Sequence, residues 1–533
     1  MVGEDARSAS SPTIQPLWRA PQARGSAEAG NRALSEKKNE VNMADEREMR
    51  LQRLQALREQ GINPYPQHVE RTHTIAEVLQ HFDEFSGPDG SYTLVGRIRV
   101  LREQGKVTFA RIEDGTGSIQ LFFRINDVGE EAYRRIKLLD VGDFIQASGF
   151  LFTTRTGERT LHVLHFRVIA KSLRPLPEKY HGLEDIELRQ RKRYLDLIAN
   201  GDEVKQVFIT RSRVISAMRR FLDEHGFIEV ETPVLQPLYG GATARPFITH
   251  HNTLDRDLYL RIAVELYLKR LIVGGFERVY EIGRDFRNEG IDRTHNPEFT
   301  VMECYQAYAD YNDMMKLVEE MIAFIAQEVK GSTRITYQGT EIDLAPPWPR
   351  IPLLDAIAEF TGIDPSRYPD RESLAAEMRA RGFEADPKLS RGRLIDDLKG
   401  AMFRKGIPAL RQALFLIDYP LEVSPLAKLH REKPGLVERF QPFAGGLELG
   451  NAFTELNDPL DQRARFEDQA RQRSHGDEEA QVLDEDFLEA LETGMPPTGG
   501  LGIGVDRLAM LMADQETIRD VILFPTMRKT EEE

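Results

Sequence analysis

The chain has 533 residues, of which 41% are hydrophobic and 29% charged, and its formal net charge is −15. That is the composition of a water-soluble globular protein of several domains, and no apolar run approaches the roughly 18 residues that a membrane span needs. The single cysteine, Cys304, excludes a disulfide framework and a cysteine-built zinc site, and the negative balance argues against indiscriminate nucleic-acid binding.

Residues 1–42 are rich in Ser, Ala, Arg, Pro and Gly without apolar periodicity, so a disordered extension is expected. No apolar core of a secretory signal is visible there, and Glu4 and Asp5 weigh against a transit peptide. Met43 is a candidate start. The stretch after it predicts a helix that stops at Gly61 and Pro64. From about Ser91 short alternating runs appear (YTLVGRIRV, KVTFARIED, GSIQLFFR, DFIQASGFLFTT, ERTLHVLHFRVIAK), separated by Gly and Asp turns. Five strands with a helix between the third and fourth predict an OB-fold barrel over 43–172, helix included. Residues 91–172 carry 13 Lys and Arg against 9 Asp and Glu. A mildly basic module on an acidic body suits selective contact with RNA, although ordinary fluctuation explains it as well.

Residues 173–200, with two prolines and a charged helix, read as a linker, and 201–533 as the larger domain. An amphipathic helix near 204–225 carries Phe208, Ile215, Met218 and Leu222 at helical spacing, and FIEVETPVL follows as a strand. Gly240 and Gly241 allow a close backbone approach. Glu265 opens an otherwise apolar helix, where the helix dipole favours it and a ligand amine would too. The centre of the chain is FERVYEIGRDFRNEGIDRTHNPEFTVMECY, residues 276–305. Two strand-like runs flank a polar loop with Arg287, Glu289, His295 and Asn296. Alternation places Arg287, Phe299, Glu303 and Tyr305 on one face. Aliphatic residues normally fill a buried face, because unpaired charge there is costly. Cys304, inside the second strand, is read as a packing residue.

Residues 331–440 mix short strands and helices and bear no readable chemistry. In LELGNAFTELNDP, Asn451, Phe453 and Glu455 share a face, whereas Glu448 has the opposite parity. A bulge near Gly450 would be needed to aim both glutamates at one site; otherwise they serve separate sub-sites. In TGGLGIGVDRL the alternating glycines through Gly504 predict a floor on which a flat base can lie, with Arg507 in the first turn of the next helix.

FRNEG…HNPEFT, the Gly-rich 498–525 segment and the helix–strand near 204–235 resemble motifs 2, 3 and 1 of the class II aminoacyl-tRNA synthetases, and in detail the lysine-specific family. LREQGINPYP and the 173–200 string resemble it also, so that the likeness runs from 43 to 528. It implies an α+β fold, in which an N-terminal OB-fold barrel for the anticodon precedes a catalytic domain built on an antiparallel sheet flanked by helices, with a helical insertion within about 331–440. It also implies a cytoplasmic homodimer in which motif 1 supplies the interface, with lysine, ATP, Mg²⁺ and tRNA(Lys) as ligands. Catalytic roles would fall to Arg287, His295 and Arg507. ATP would meet these three with Glu289, Asn296, Phe299, Glu448 and Gly504. Lysine would meet Gly241, Glu265, Glu303, Tyr305, Asn451, Phe453 and Glu455, and the anticodon Phe109, Gln120 and Glu158. Glu448 would hold the metal. Gln441 stands where the family usually has a metal-associated Glu, which leaves the number of ions open. Three glutamates suit an ammonium and would repel the side chain of aspartate. Two alternatives remain at this point: a paralogue that lysylates a protein, and a non-catalytic RNA-binding paralogue, which would be expected to lose Arg287, Phe299 or Arg507.

Overall fold

The computed structural model describes residues 44–177, 183–387, 389–405, 408–474 and 482–529. The expected N-terminal extension lies outside them. Contacts divide the chain into two units, Met1–Pro177 and Glu178–Glu533. Among the described residues no helix is long and apolar enough to cross a membrane.

The first unit opens with a helix over 44–59, and Gly61 follows at φ +72°, a left-handed turn that glycine adopts without strain. Five strands then close a barrel: Tyr92–Gln104, Val107–Glu113, Ser118–Arg124, Phe144–Thr153 and Arg159–Ala170. The first three form a meander, the third pairs parallel to the fifth, and the fourth closes antiparallel on the first and fifth. Short helices Ile125–Val128 and Glu130–Arg135 fill the third connection. This is the OB-fold arrangement. Alternation sends Ala110, Ile112, Ile119, Leu121 and Phe123 inward to the core. A buried ion cluster closes one end: the Lys171 ammonium donates to Asp140 and Asp143 and to the Leu138 carbonyl. Burial pushes the Asp143 carboxyl above its usual range, with Lys171 opposing.

The second unit is built on a nine-stranded sheet. Its order is Arg350–Pro352, Leu414–Pro420, Leu436–Ala444, Gly450–Thr454, Thr498–Gly504, Glu298–Ala307, Arg278–Phe286, Ile228–Glu229, with Leu447–Glu448 added beside Leu436–Ala444. All pairings are antiparallel except at the two ends. Only Ile228–Glu229 of the expected FIEVETPVL strand pairs in this sheet, because Pro233 interrupts the ladder and Leu235–Gln236 joins a separate three-stranded sheet. Helices Gly201–Glu224 and Tyr311–Lys330 cover one face, where Met302, Cys304, Leu501 and Ile503 pack with Met218, Met314 and Val318. Cys304 is fully buried, and burial pushes its thiol up, as a packing residue requires. The opposite face carries the odd-numbered residues of the central hairpin. Helices Leu353–Thr361, Arg371–Ala380 and Arg391–Arg404 stand between the Arg350–Pro352 and Leu414–Pro420 strands. Helices Ile186–Arg191 and Arg193–Ala199 dock on the end of this unit, where Arg193 donates to the carbonyls of Arg519 and Leu523.

The Lys171 cluster yields a stability test. Lys171→Met leaves the buried Asp143 carboxylate without a cation and Asp140 with Arg53 alone, which costs about 3–5 kcal/mol. In the full chain, a tryptophan placed in the barrel should report unfolding at distinctly lower urea. An unchanged midpoint would mean that the cluster contributes nothing.

Candidate active site

One cavity of about 570 Å³ opens on the free face of the sheet. Its floor is the glycine strand Thr498–Gly504, flanked on either side by a strand with large polar residues. The register sets two rows across it: Phe453, Gly500 and Tyr305 in one, Asn451, Gly502 and Glu303 in the other. In the first row, a β-carbon on Gly500 would come within 1.9 Å of Glu455 Oε1 and 2.5 Å of Tyr305 Cε1. The expected base-binding floor therefore needs correction at this end: Gly500 makes room for protein side chains. At Gly502 and Gly504 a β-carbon would meet nothing closer than 3.5 Å, so the open floor is there.

Glu448 and Glu455 reach the same cavity through an irregularity in the sheet. Leu436–Ala444 pairs Phe443 with Glu448, but Phe440 with Ala452 and Arg439 with Phe453. The register slips by one residue around Leu449–Asn451, which is the expected bulge. Gly450 sits in it, where a β-carbon would lie 2.2 Å from the Gly502 carbonyl oxygen.

At the deep end, Glu265, Glu303 and Glu455 are buried together. The Tyr305 hydroxyl donates to Glu303 Oε2 at 3.0 Å. Gly241, at φ +85°, brings its backbone against Glu265 and Ala263, where a β-carbon would lie 3.0–3.1 Å from theirs. The expectation that all three carboxylates await a ligand amine is corrected by Lys269. Its fully buried ammonium donates to Glu265 Oε1 at 2.5 Å and pairs with Glu455. Burial alone would lower this ammonium's pKa; Glu265 and Glu455 outweigh it and hold Lys269 charged. Three carboxylates less one ammonium leave a formal excess of two negative charges. Among the described residues no cation pairs with Glu303: burial, then Asp285 and Glu265, push its carboxyl well above the usual range, with Tyr305 and Arg287 opposing. Asn451 is held by Arg439, whose Nε donates to its Oδ1 at 2.9 Å, and Arg439 also lies over the Tyr419 and Phe453 rings.

At the open end, the Arg287 guanidinium lies 5.0 Å from the centre of the Phe299 ring. His295 Nδ1 is 2.7 Å from Asp292 Oδ2, and its Nε2 is 3.2 Å from Arg507 Nη2. Arg507 also donates to the Glu448 carbonyl at 2.9 Å. Glu289 is exposed at the rim, and Asn296 is buried with its amide donating to the Glu298 carbonyl. Burial pushes Glu448 up, but Lys399, Arg507 and Arg439 outweigh it and hold the carboxylate ionised. A cavity with cations and an aromatic plate at its mouth and acidic groups at its end is shaped for a phosphate-bearing base and an amine.

The sequence pattern of tRNA synthetases class II (D, K and N) matches residues 185–528, and that of the OB-fold nucleic acid binding domain matches 92–169. The chain belongs to the lysine–tRNA ligase family. It is 55% identical to a lysine–tRNA ligase of Chloroflexus aurantiacus over 92% of this chain and 100% of that protein. With those of Roseiflexus castenholzii and Moorella thermoacetica it is 57% and 53% identical, over 91% of this chain and 99% and 98% of theirs.

The family generally uses Mg²⁺ with ATP, and the residues present fit one such ion in a restricted way. Glu448 offers an ionised carboxylate at the open end. Gln441 does not serve: its Oε1 already accepts from Lys399 Nζ at 2.9 Å and from the Tyr419 hydroxyl at 2.6 Å, which uses both lone pairs. Its expected part as a ligand is thereby corrected. Among the described residues no group of three or more His, Cys, Asp or Glu is placed to hold a metal. An ion held chiefly by the phosphates, with Glu448 as the protein's carboxylate, suits this set.

Every pocket residue expected from the sequence lines this cavity. The barrel residues meet on an outward face of the first unit. Phe109 and Phe122 rings lie 5.3 Å apart, Gln120 donates to Thr160, and Glu158 pairs with Arg111. Phe150, Phe152 and His162 extend the aromatic patch. Sequence reasoning missed Glu281 and Asp285, which share the face of Arg287 by the alternation already used. They hold the buried Arg261 guanidinium, and Asp285 is pushed to about 6 by burial, with Arg287 and Arg261 opposing. Lys269 was also legible, four residues after Glu265 on one helix. Lys399 carried no sequence signal.

Gly500→Ala tests the row geometry. Its added carbon displaces Glu455 and Tyr305, so lysine affinity should fall at least tenfold while affinity for an ATP analogue stays within about twofold. Calorimetric titration of each ligand decides; an equal loss for both would contradict the two-ended pocket.

Proposed function

We infer that this chain is a lysine–tRNA ligase, which activates L-lysine with ATP and transfers it to the 3′ end of tRNA(Lys). One observation carries the reading. Three carboxylates against one ammonium, a formal excess of two, are buried across a glycine floor, and free lysine brings two ammonium groups to match that excess. Buried carboxylates left without an ammonium partner would cost several kcal/mol, so such a pocket rejects a neutral or acidic side chain.

In the first step the lysine carboxylate attacks the α-phosphorus of ATP, pyrophosphate leaves, and lysyl-adenylate forms. This reaction needs alignment and neutralisation of charge more than a base. Glu303, hydrogen-bonded by Tyr305, and the Lys269-linked pair Glu265 and Glu455 orient the amino acid, with Gly241, Asn451 and Phe453 closing around it. Phe299 stacks the adenine, and Glu289 and Asn296 meet its edge and the ribose side. Arg287 holds the α-phosphate, where a planar guanidinium grips two oxygens at once. His295 and Arg507 hold the outer phosphates near Gly504. Glu448 would hold Mg²⁺ with the phosphates, and the ion would supply charge neutralisation there. In the second step the terminal ribose hydroxyl of the tRNA attacks the adenylate carbonyl and AMP leaves. The aromatic face around Phe109, with Gln120 and Glu158, takes the anticodon bases by stacking and hydrogen bonding. The chain works in the cytoplasm as a homodimer, a reading supported by the motif-1 likeness and by the exposed apolar residues Ile209, Ile228, Val234 and Leu235.

The primary experiment is ATP–pyrophosphate exchange across all amino acids; exchange with lysine alone is expected, and exchange with none or with another would overturn the assignment. Glu303→Gln should weaken lysine by about 10–100-fold, as expected for a lost hydrogen bond to a charged group, and leave ATP binding intact. The same residue fixes a pH dependence. Burial raises the Glu303 pKa in the free protein, and a bound ammonium favours its ionised form, so binding releases a proton. Lysine affinity should therefore rise with pH until it reaches the free value and then level off. Calorimetry in buffers of different ionisation heat should detect the released proton in the wild type and a smaller release in Glu303→Gln, where Glu455, pushed up to about 8 by burial with Lys269 opposing, keeps its own. Phe109→Ala should lower tRNA charging at least tenfold and spare the exchange reaction; equal losses would remove the barrel from tRNA reading.

A further inference from the structure

The helix Arg391–Arg404 brings Ser390, Arg393, Asp396 and Lys399, three residues apart, to the wall of the cavity. The Lys399 side chain is 14% exposed, and its ammonium stands among oxygens from three separate segments: Gln441 Oε1 at 2.9 Å, Asp396 Oδ1 at 3.4 Å and Glu448 Oε2 at 3.7 Å. The Tyr419 ring lies beneath it, 5.7 Å from its centre. Oxygens converging from several segments on one point are what a hard divalent cation requires. Here that point is the Lys399 nitrogen. Gln441, only 4% exposed, is fixed by Lys399 and Tyr419 together, so its oxygen has no lone pair for a metal.

We propose that Lys399 is a built-in cation of the nucleotide site, which takes the place of a second divalent ion between residues 441 and 448. It faces the phosphates from the Glu448 side, so each active site binds one divalent ion, carried by the nucleotide. An ammonium presents one charge and three donors where a divalent ion would present two charges and bound waters. The remaining neutralisation falls to Arg287 and Arg507. The inserted helices thus supply a nucleotide contact. The proposal rests on the ligase reading only in taking ATP as the nucleotide.

Manganese counting tests it on the full-length protein. With saturating α,β-methylene-ATP, which cannot be cleaved at the reacting bond, titration followed by electron paramagnetic resonance should give one tightly bound Mn²⁺ per chain. Two would overturn the proposal. Lys399→Met should weaken the analogue at least tenfold at low Mg²⁺ and recover part of that affinity as Mg²⁺ rises, whereas Lys399→Arg should stay within about threefold of the wild type. Lys399→Met with unchanged affinity and unchanged Mg²⁺ dependence would also overturn it. Lys399→Met combined with Gln441→Glu should bind a second Mn²⁺, and neither single variant should; a count of one in the double variant would refute the exchange of ammonium for metal. Circular dichroism checks that each variant is folded. If lysine-dependent exchange is absent, the ligase reading fails while the manganese count still stands or falls by itself; if exchange is present and two ions bind, only the Lys399 inference fails.

Discussion

Everything in the second unit depends on how three carboxylates can be buried at the bottom of one cavity. Unpaired, they would not stay ionised in an apolar setting. Lys269 offsets one charge by pairing with Glu265 and Glu455, and Tyr305 donates to Glu303. The residual charge is left for the ligand. The sheet makes this possible only because its central strand lacks side chains on that face. With alanine at Gly500, Glu455 and Tyr305 could not occupy their positions.

The same economy of space shapes the rest of the sheet. Gly450 lets two backbones approach so that the strand can slip its register, and that slip turns Glu448 toward the cavity which Glu455 already faces. Gly283 leaves room for the buried Arg261 guanidinium, whose Glu281 and Asp285 partners anchor the first strand of the hairpin behind Arg287. Strands carry Phe299, Glu303, Tyr305, Asn451 and Phe453, helix starts carry Glu265 and Arg507, and the hairpin loop carries Arg287, Glu289, His295 and Asn296. His295 and Glu289, on the connecting loop, are the exposed members.

The two ends of the cavity differ in electrostatic character. The deep end is acidic and enclosed, with one ammonium, Lys269, among three carboxylates. The other end is open and lined by cations, with Arg287, Arg507 and Lys399 arriving from a hairpin, a helix start and the helix Arg391–Arg404. Binding there draws on charge from parts of the chain far apart in sequence. The barrel, by contrast, presents neutral aromatic surface beside an Arg111–Glu158 pair, a platform on which bases can stack.

Much of this was legible from the residues alone. Alternation in two strands assigned Arg287, Phe299, Glu303 and Tyr305 to one face, and parity left either an irregularity near Gly450 or separate sub-sites for Glu448 and Glu455, because a strand has a fixed period of two. The five-strand barrel followed from the same period. What local pattern could not supply was pairing over distance. The contact of Lys269 with Glu455 depends on how a helix packs against a remote strand. Gly500's function became plain only when its neighbours across the sheet were known. Lys399 lies in a segment without any recognisable motif, and its place beside Gln441 is set by the docking of an inserted helix. Sequence determined which chemical groups the chain owns and which face of its own element each occupies, since those follow from backbone periodicity. Tertiary structure decided which charges meet, because electrostatic partners are chosen by proximity in space.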